Sequence, residues 1–377
     1  MKVLSTFNGM GCIWLALDNL NIKVTKRYSS EIDKYANTVN DANYPDTIQL
    51  GDITQVKAKD LDRIDLIVGG SPCQGFSFAG KQLNFEDERS KLFFEFVRLY
   101  NECKEINPDV KFLLENVNMK REYLAIISKY LGVYPVRINS NLVSAQNRDR
   151  WYWTNIKTKE VGLFGDITSD IPQPKDKGIL LKDILESEVD KKYYLSSKMI
   201  KCFTNPDSEW SKRFEPMDKD WDKSKCLTSR YYKMGKTDPY ICVAMRGRNP
   251  DNPSDRTPGS PTEQRLEPKE DGKTNTLTSV GKDNLILGCE YRHDEGLRIN
   301  KKGKSNTLTA QAREDGIGGN KLVLIDYKLR RLTPIECERL QTVPDNYTNR
   351  VSDSQRYKML GNGWTIDVIT HILSFLK

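Results

Sequence analysis

The sequence predicts an α/β protein: a parallel sheet with helices on both faces, followed by a smaller, irregular β-rich module. Two observations carry this. From Lys2 to Glu115 short β-rich runs alternate with helical patterns in the order β-α-β-α-β-α-β, the signature of a parallel sheet covered on both sides. Past Trp153 the composition shifts to Asp, Lys, Pro, Gly and Ser, which suits turns and loops better than a buried core.

Each element has its own warrant. Lys2 to Thr6 reads as the first strand, and a glycine turn leads into a helix from Cys12 to Leu20. Val24 to Ser30 predicts a second strand, Lys34 to Asp41 a helix, and Ile64 to Gly69 a further strand ending in Gly-Gly. Helical periodicity runs from Leu92 to Cys103, and Lys111 to Leu114 reads as a short buried strand closed by Glu115-Asn116. Met245 to Lys273, rich in charge, Pro and Gly, is expected to be a long loop. One pattern recurs in this half: Lys223 to Thr228, Lys273 to Thr278 and Lys304 to Thr309, with starts 50 and then 31 residues apart. Unequal spacing argues against a solenoid and for strand-and-turn units. Near the end, Thr333 to Leu340 predicts a helix with Pro334 at its first position, and Thr365 to Leu376 an apolar terminal helix.

At 377 residues the chain has room for about two to three domains. The formal net charge of +7 suits a polyanionic partner. No apolar run reaches the roughly 18 residues of a membrane span, and Met1 to Ser5 leads straight into a strand without a secretory pattern, so a cytoplasmic protein is expected. The eight cysteines contain no C-x-x-C pair and the histidines are His293 and His371 alone. Most zinc spacings and any compact disulfide framework are thereby excluded, and no metal is expected.

Several constellations fall on the carboxyl ends of the predicted strands, the rim where open α/β sheets bind ligands. Phe7-Asn8-Gly9-Met10-Gly11 lets the backbone turn tightly at a helix N-terminus. It lacks the third glycine of the dinucleotide fingerprint, so a nicotinamide or flavin site is disfavoured. Glu31 stands where an acidic side chain takes the ribose hydroxyls of a nucleoside, and Asp52 could accept from an adenine amino group. Gly69-Gly70-Ser71-Pro72-Cys73-Gln74-Gly75-Phe76-Ser77 sets a thiol directly after a strand. Glu115 adds a carboxylate to the same rim, and Gln146-Asn147-Arg148-Asp149-Arg150 supplies two guanidinium groups that would face one way on an extended segment. A thiolate can attack an electron-poor ring carbon, an acid can engage a ring nitrogen, and arginine can hold a carbonyl oxygen or phosphate.

Taken in order, these segments resemble the cytosine carbon-5 DNA methyltransferases of bacterial or phage type. Phe7 to Gly11 resembles the first cofactor motif, Glu31-Ile32 and Asp52-Ile53 the second and third, and Pro72-Cys73-Gln74 the nucleophile motif. Glu115-Asn116-Val117 and Gln146-x-Arg148-x-Arg150 are similar to two further catalytic motifs. Arg331 to Pro344 and Leu360-Gly361-Asn362-Gly363 resemble the last two. Cys12 stands where a third glycine is common in the family. Gly363-Trp364-Thr365 replaces the usual small-residue-plus-valine pattern and, with Leu92 to Phe96, is similar to the de novo branch of the eukaryotic enzymes.

The resemblance implies a Rossmann-like S-adenosylmethionine-dependent methyltransferase sheet and a β-rich target-recognition domain. It divides the chain into residues 1–158 for catalysis and cofactor binding, 159–328 for target recognition, and 329–377 returning to the catalytic domain. It implies methyl transfer from S-adenosylmethionine, leaving S-adenosylhomocysteine, to carbon 5 of a flipped-out cytosine in double-stranded DNA. Cys73, Glu115, Arg148 and Arg150 are the implied catalytic residues, with Arg148 and Arg150 gripping the base oxygen and adjacent backbone. The cofactor would lie against Phe7, Gly9, Met10, Gly11, Cys12, Glu31, Ile32, Asp52, Ile53, Pro72, Leu92, Asn362, Gly363 and Trp364. DNA would meet Gln74, Ser77, Arg89, Gln146 and the Thr-Leu pairs Thr276-Leu277 and Thr307-Leu308. A monomer is expected, encoded by a bacterium or phage, with a cognate restriction endonuclease as a host partner. Two alternatives stay open: a tRNA cytosine-5 methyltransferase, to one of whose tripeptides Cys202-Phe203-Thr204 is similar, and a catalytically silent binding homologue.

Overall fold

A computed structural model describes residues 1–71, 88–196, 198–200, 217, 222–235, 238–248, 263–266, 286–292, 296–299, 321–325 and 327–376. These fall into two compact units. The first comprises Met1–Leu180, Lys225–Lys233 and Pro334–Lys377, the second Leu181–Ser224 and Met234–Thr333.

The first unit is built on a seven-stranded sheet of order β3-β2-β1-β4-β5-β7-β6. Its strands are β1 (Lys2–Thr6), β2 (Lys26–Ser30), β3 (Thr47–Gln49), β4 (Leu66–Gly69), β5 (Lys111–Val117), β6 (Val136–Asn139) and β7 (Asp149–Thr154). β1 to β5 are parallel, whereas β7 runs antiparallel to both β5 and β6. β4 is buried along its whole length, which is why its sequence is a continuous apolar run rather than an alternating one. The chain winds outward from β1 through β2 to β3, then crosses back to β4 and β5. The switch point therefore lies between the carboxyl ends of β1 and β4, where such sheets open a crevice.

Helices α1 (Cys12–Asn19), α2 (Lys34–Asn43), α3 (Glu88–Ile106) and α4 (Arg121–Leu131) follow the strands. Phe93, Phe96 and Leu99 of α3 pack with Leu4, Ile67, Phe112 and Leu114 in one buried cluster. The first unit continues beyond the expected boundary at residue 158, because the hairpin β8 (Thr158–Val161) and β9 (Asp166–Ser169) is tied back to it. Tyr134 N donates to Ile167 O and Ser169 N to Tyr134 O, each at 2.8 Å.

In the second unit, a short α5 (Leu181–Ile184) precedes two small antiparallel sheets. One joins β10 (Tyr240–Arg248), β11 (Glu263–Leu266) and β15 (Tyr327–Arg331); the other joins β12 (Ile286–Arg292), β13 (Gly296–Ile299) and β14 (Lys321–Ile325). The loop expected from Met245 to Lys273 is thus partly a ladder, with Met245 opposite Leu266 and Arg248 opposite Glu263. Backbone pairing needs no apolar side chains, so a charged, glycine-containing stretch forms it readily.

The carboxyl-terminal part of the first unit contains α6 (Pro334–Leu340), α7 (Asp353–Asn362) and α8 (Ile366–Leu373). Fully buried Glu338 anchors the connection between α6 and α7. Its Oε2 accepts from Asn346 N at 2.7 Å, and its Oε1 accepts from Thr348 N at 2.8 Å and from Arg356 Nη2 at 3.0 Å. Removing one partner of a buried pair strands the other charge. Arg356→Met is therefore expected to lower the unfolding free energy by about 3 kcal/mol, read from the denaturant midpoint at constant m.

Candidate functional site

The turn after β1 is shaped by Gly11, whose φ of 85° caps α1 from the left-handed region. A side chain there would also collide with Asn40 Oδ1 at 2.7 Å and the Trp14 ring at 2.9 Å. Beneath the turn, Asn40 Oδ1 accepts from Asn8 Nδ2 at 3.0 Å and Trp14 Nε1 at 2.9 Å. Glu31, at the end of β2, reaches into the same loop: its Oε2 accepts from Gly9 N and its Oε1 from Ile32 N and Asp33 N, each at 2.8 Å. The strand end and the glycine loop are thus held as one cradle.

Several features suit this cradle to a nucleoside. Gly9 has φ 56° and open space where a side chain would point. Ile32 presents its apolar side chain 78% exposed beside Glu31, a platform of the kind a flat base covers. Buried Asn8 Oδ1 has no hydrogen-bond partner among the described residues, which leaves an acceptor for a ligand donor. Asp52 Oδ1 accepts from Thr54 N at 2.9 Å. Phe7 and Leu92 are partly buried against the core. Met10, Cys12 and Ile53 have buried side chains, so Ile53 belongs to the packing beneath the cradle. Burial pushes the Cys12 thiol up to about 11.

Across the switch point, Glu115 lies on β5 opposite Tyr152 of β7. Antiparallel register puts Arg150, two residues before Tyr152, diagonally across from Glu115 on the same face. Their charges meet, Arg150 Nε lying 2.9 Å from Glu115 Oε1. The other carboxylate oxygen, Oε2, accepts from Trp364 Nε1 at 3.2 Å. Next along β5, Asn116 Nδ2 donates to Ser71 Oγ at 3.3 Å, tying this strand to the segment that leads into Pro72 and Cys73. Pro72, Cys73, Gln74, Ser77, Thr276, Leu277, Thr307, Leu308 and the side chain of Arg89 lie outside the described residues.

Two expectations change. Arg148, expected to grip a base, is only 3% exposed. Its Nη1 donates to Leu227 O at 3.1 Å and Gly361 O at 3.2 Å, and its Nη2 to Gly363 O at 2.9 Å. Gln146, expected at DNA, is fully buried. Its Oε1 accepts from Leu227 N at 2.7 Å and its Nε2 donates to Leu340 O at 3.2 Å. Both side chains hold backbone, because Lys225–Lys233 returns from the middle of the sequence to pack on this unit. Gly361 makes the close approach possible, since a Cβ there would lie 2.2 Å from the Thr228 carbonyl carbon. That strap includes the last four residues, Lys225 to Thr228, of the first recurring unit, and its partners were not legible from sequence. Asn362 is exposed, while Gly363 and Trp364 are half-buried beside the cradle.

Strand order and rim chemistry together place the chain among the α/β enzymes that hold a nucleoside-bearing cofactor at the switch point and work on a second substrate beside it. Comparison with known proteins narrows this. The chain is 30% identical over 383 residues to the type II methyltransferase M1.ScrFI of Lactococcus lactis subsp. cremoris, covering 98% of this chain and 76% of that one. It is 27% identical to the orphan methyltransferase M.SPRI of Bacillus phage SPR, covering 100% of this chain and 97% of the relative. Among solved structures, the S. pombe Dnmt2 methyltransferase superposes with TM-score 0.59 at 17% identity, covering 100% of this chain and 98% of that one. The Entamoeba histolytica methyltransferase EhMeth gives TM-score 0.62 at 17% identity, covering 100% and 97%. These two likenesses show the fold.

The family model for C-5 cytosine-specific DNA methylase matches residues 1–377. The chain belongs to that family, whose members transfer a methyl group to carbon 5 of cytosine in DNA and use S-adenosylmethionine as the donor. Among the described residues no helix is long and apolar enough to cross a membrane, and no cluster of His, Cys, Asp and Glu could hold a metal.

Because the Cys12 thiol rises from 9.0 to about 11 on folding, the unfolded chain releases this proton first as pH increases. Its contribution to stability is present below about pH 9 and is lost between about pH 9 and 11. Denaturation across that range should show a decline that is shallower in Cys12→Ala, by at most about 2–3 kcal/mol.

Proposed function

We propose that this chain methylates carbon 5 of a cytosine flipped out of double-stranded DNA, through a transient bond between Cys73 and carbon 6. The observation that carries the reading is the Glu115 carboxylate, 8% exposed, paired with Arg150 at 2.9 Å on the strand beside the one that leads to Cys73. Attack by the Cys73 thiolate raises electron density at carbon 5, dividing one difficult step into easier ones. Glu115 engages ring nitrogen 3 and the amino group as the adduct forms. Arg150, already beside that carboxylate, reaches the base oxygen. Arg148 acts as a positioning residue instead, its donors being directed at backbone carbonyls.

S-Adenosylmethionine supplies the methyl group; loss of the carbon-5 proton to a base and elimination of the Cys73 thiolate restore the ring double bond and free the product. Glu31 and Asp52 would hold the donor's ribose and adenine, Ile32 would cover the base, and the Gly9 turn gives it room. Flipping costs a few kcal/mol of lost stacking and pairing. Residues of the second unit would choose the recognised sequence from the major groove, as side chains reading base edges do. Relatives named as type II methyltransferases support a role beside a cognate restriction endonuclease in a bacterial cytoplasm.

Cys73→Ser is expected to abolish turnover while leaving duplex affinity within a few-fold. Glu115→Gln is expected to lower the methylation rate about 10²–10³-fold with cofactor affinity retained. Radiolabelled methyl transfer and direct binding measure the two separately, and equal loss of binding in both variants would refute the catalytic assignment. Methyl incorporation into tRNA rather than duplex DNA would shift the substrate, and exchange of residues 160–325 with a relative should change the sequence methylated.

A further inference from the structure

Glu115 sits almost wholly out of water, and each of its oxygens needs a donor. Arg150 faces Oε1 as an ion pair, its Nε 2.9 Å away. The partner of Oε2 is the indole N–H of Trp364 at 3.2 Å, contributed by the carboxyl-terminal segment 249 positions away. Gly70 closes the other side of this contact. A Cβ added there would lie 3.0 Å from Trp364 Nε1 and 3.2 Å from Glu115 Oε2, so backbone lies against the indole–carboxylate hydrogen bond and helps to shield it.

The same tryptophan touches the nucleoside cradle through its backbone. Its N–H favours the charged form of the neighbouring Cys12 sulfur. The preceding Gly363 lies against the turn after β1, where an added Cβ would come within 3.0 Å of Met10 Cε and 3.5 Å of Cys12 Sγ. Its carbonyl is fixed from the other side by Arg148 Nη2 at 2.9 Å. The chain at Gly363-Trp364 thus packs on the cofactor turn, and the Trp364 side chain reaches the acid.

We propose that Trp364 is the positioning residue of the catalytic acid: its indole N–H fixes the Glu115 carboxylate in the orientation that meets the flipped base, and its backbone ties that orientation to the cofactor turn. This rests on Glu115 acting as proposed above. A carboxylate held by an ion pair on one oxygen and a directional hydrogen bond on the other presents one arrangement to ring nitrogen 3, whereas one held by the Arg150 charge alone can rotate about its side-chain torsions. Positioning of this kind acts on the chemical step, since small misplacements of a reacting group cost large factors in rate.

Trp364→Phe keeps an aromatic face beside the cofactor turn and removes the donor. Single-turnover methyl transfer with the full chain and a duplex substrate should slow at least tenfold, while dissociation constants for S-adenosylmethionine and the duplex stay within about threefold. In a Glu115→Gln background the same substitution should change the rate by less than about twofold, because the two residues act as one unit. An unchanged rate in Trp364→Phe would overturn the proposal. So would a loss of rate matched by equally weakened cofactor binding, which makes the ring a wall of the cofactor site only or reports a damaged fold. A further tenfold fall in the double variant would also overturn it. If Glu115→Gln alone reacts at the unsubstituted rate, the assignment of the acid fails first, and Trp364 loses its role with it.

Discussion

A guanidinium sealed from water has to be surrounded by oxygen atoms, and Arg148 gathers them from parts of the chain far from itself. Leu227, Gly361 and Gly363 each turn a carbonyl toward it. Desolvation holds its pKa below the ordinary arginine range, and Arg150 pushes in the same direction. The group nonetheless stays protonated at any physiological pH, so the backbone has to remain in place around it. Trp364 follows Gly363 directly and Arg150 stands two residues after Arg148. The two groups on Glu115 therefore inherit their positions from one buried cation. Networks of this kind couple their members, and deletions within them are not additive.

The parallel half of the sheet was legible because its physics is local. Strands buried on both faces read as apolar runs, and the ligand rim follows each of them at a glycine or a carboxylate. The antiparallel edge was not: Lys111 to Leu114 reads as a strand closed by Glu115-Asn116, whereas β5 runs to Val117 and pairs with β7. α7 carries little helical signal for another reason: its segment is mostly polar, and it is held by tertiary contacts such as the pair between Arg356 and Glu338. The second unit shows the same limit, since a ladder such as Met245 to Arg248 against Glu263 to Leu266 leaves little trace in composition.

For the site, residue types were readable and their partners were not. Two arginines spaced by one residue predict a shared face, but the strand register decides which of them meets the carboxylate. Glutamine offers both a donor and an acceptor, so the group that would read a base edge also matches a peptide group. Gln146 is used in the second way, as both its bond from Leu227 N and its bond to Leu340 O show. Sequence alone gave no sign that Lys225–Lys233 returns to this unit, because a returning strap is specified by what it meets and not by its own periodicity.

The two departures from the family pattern that the sequence displayed, Cys12 and Gly363-Trp364, are neighbours in space. A sulfur at position 12 occupies volume that a glycine would leave open, and the chain passing over it at position 363 has no side chain. Any Cβ at 363 would crowd Met10 Cε at 3.0 Å as well as Cys12 Sγ at 3.5 Å. The Trp364 backbone N–H also favours the charged form of that sulfur, an interaction a glycine has no side chain to make. The residue that replaces glycine therefore packs against the segment that replaces the usual small-residue-plus-valine pattern, and that segment brings an indole donor to Glu115. Seen separately, the two changes are unrelated variations; packed together they form one connection between the cofactor turn and the carboxylate.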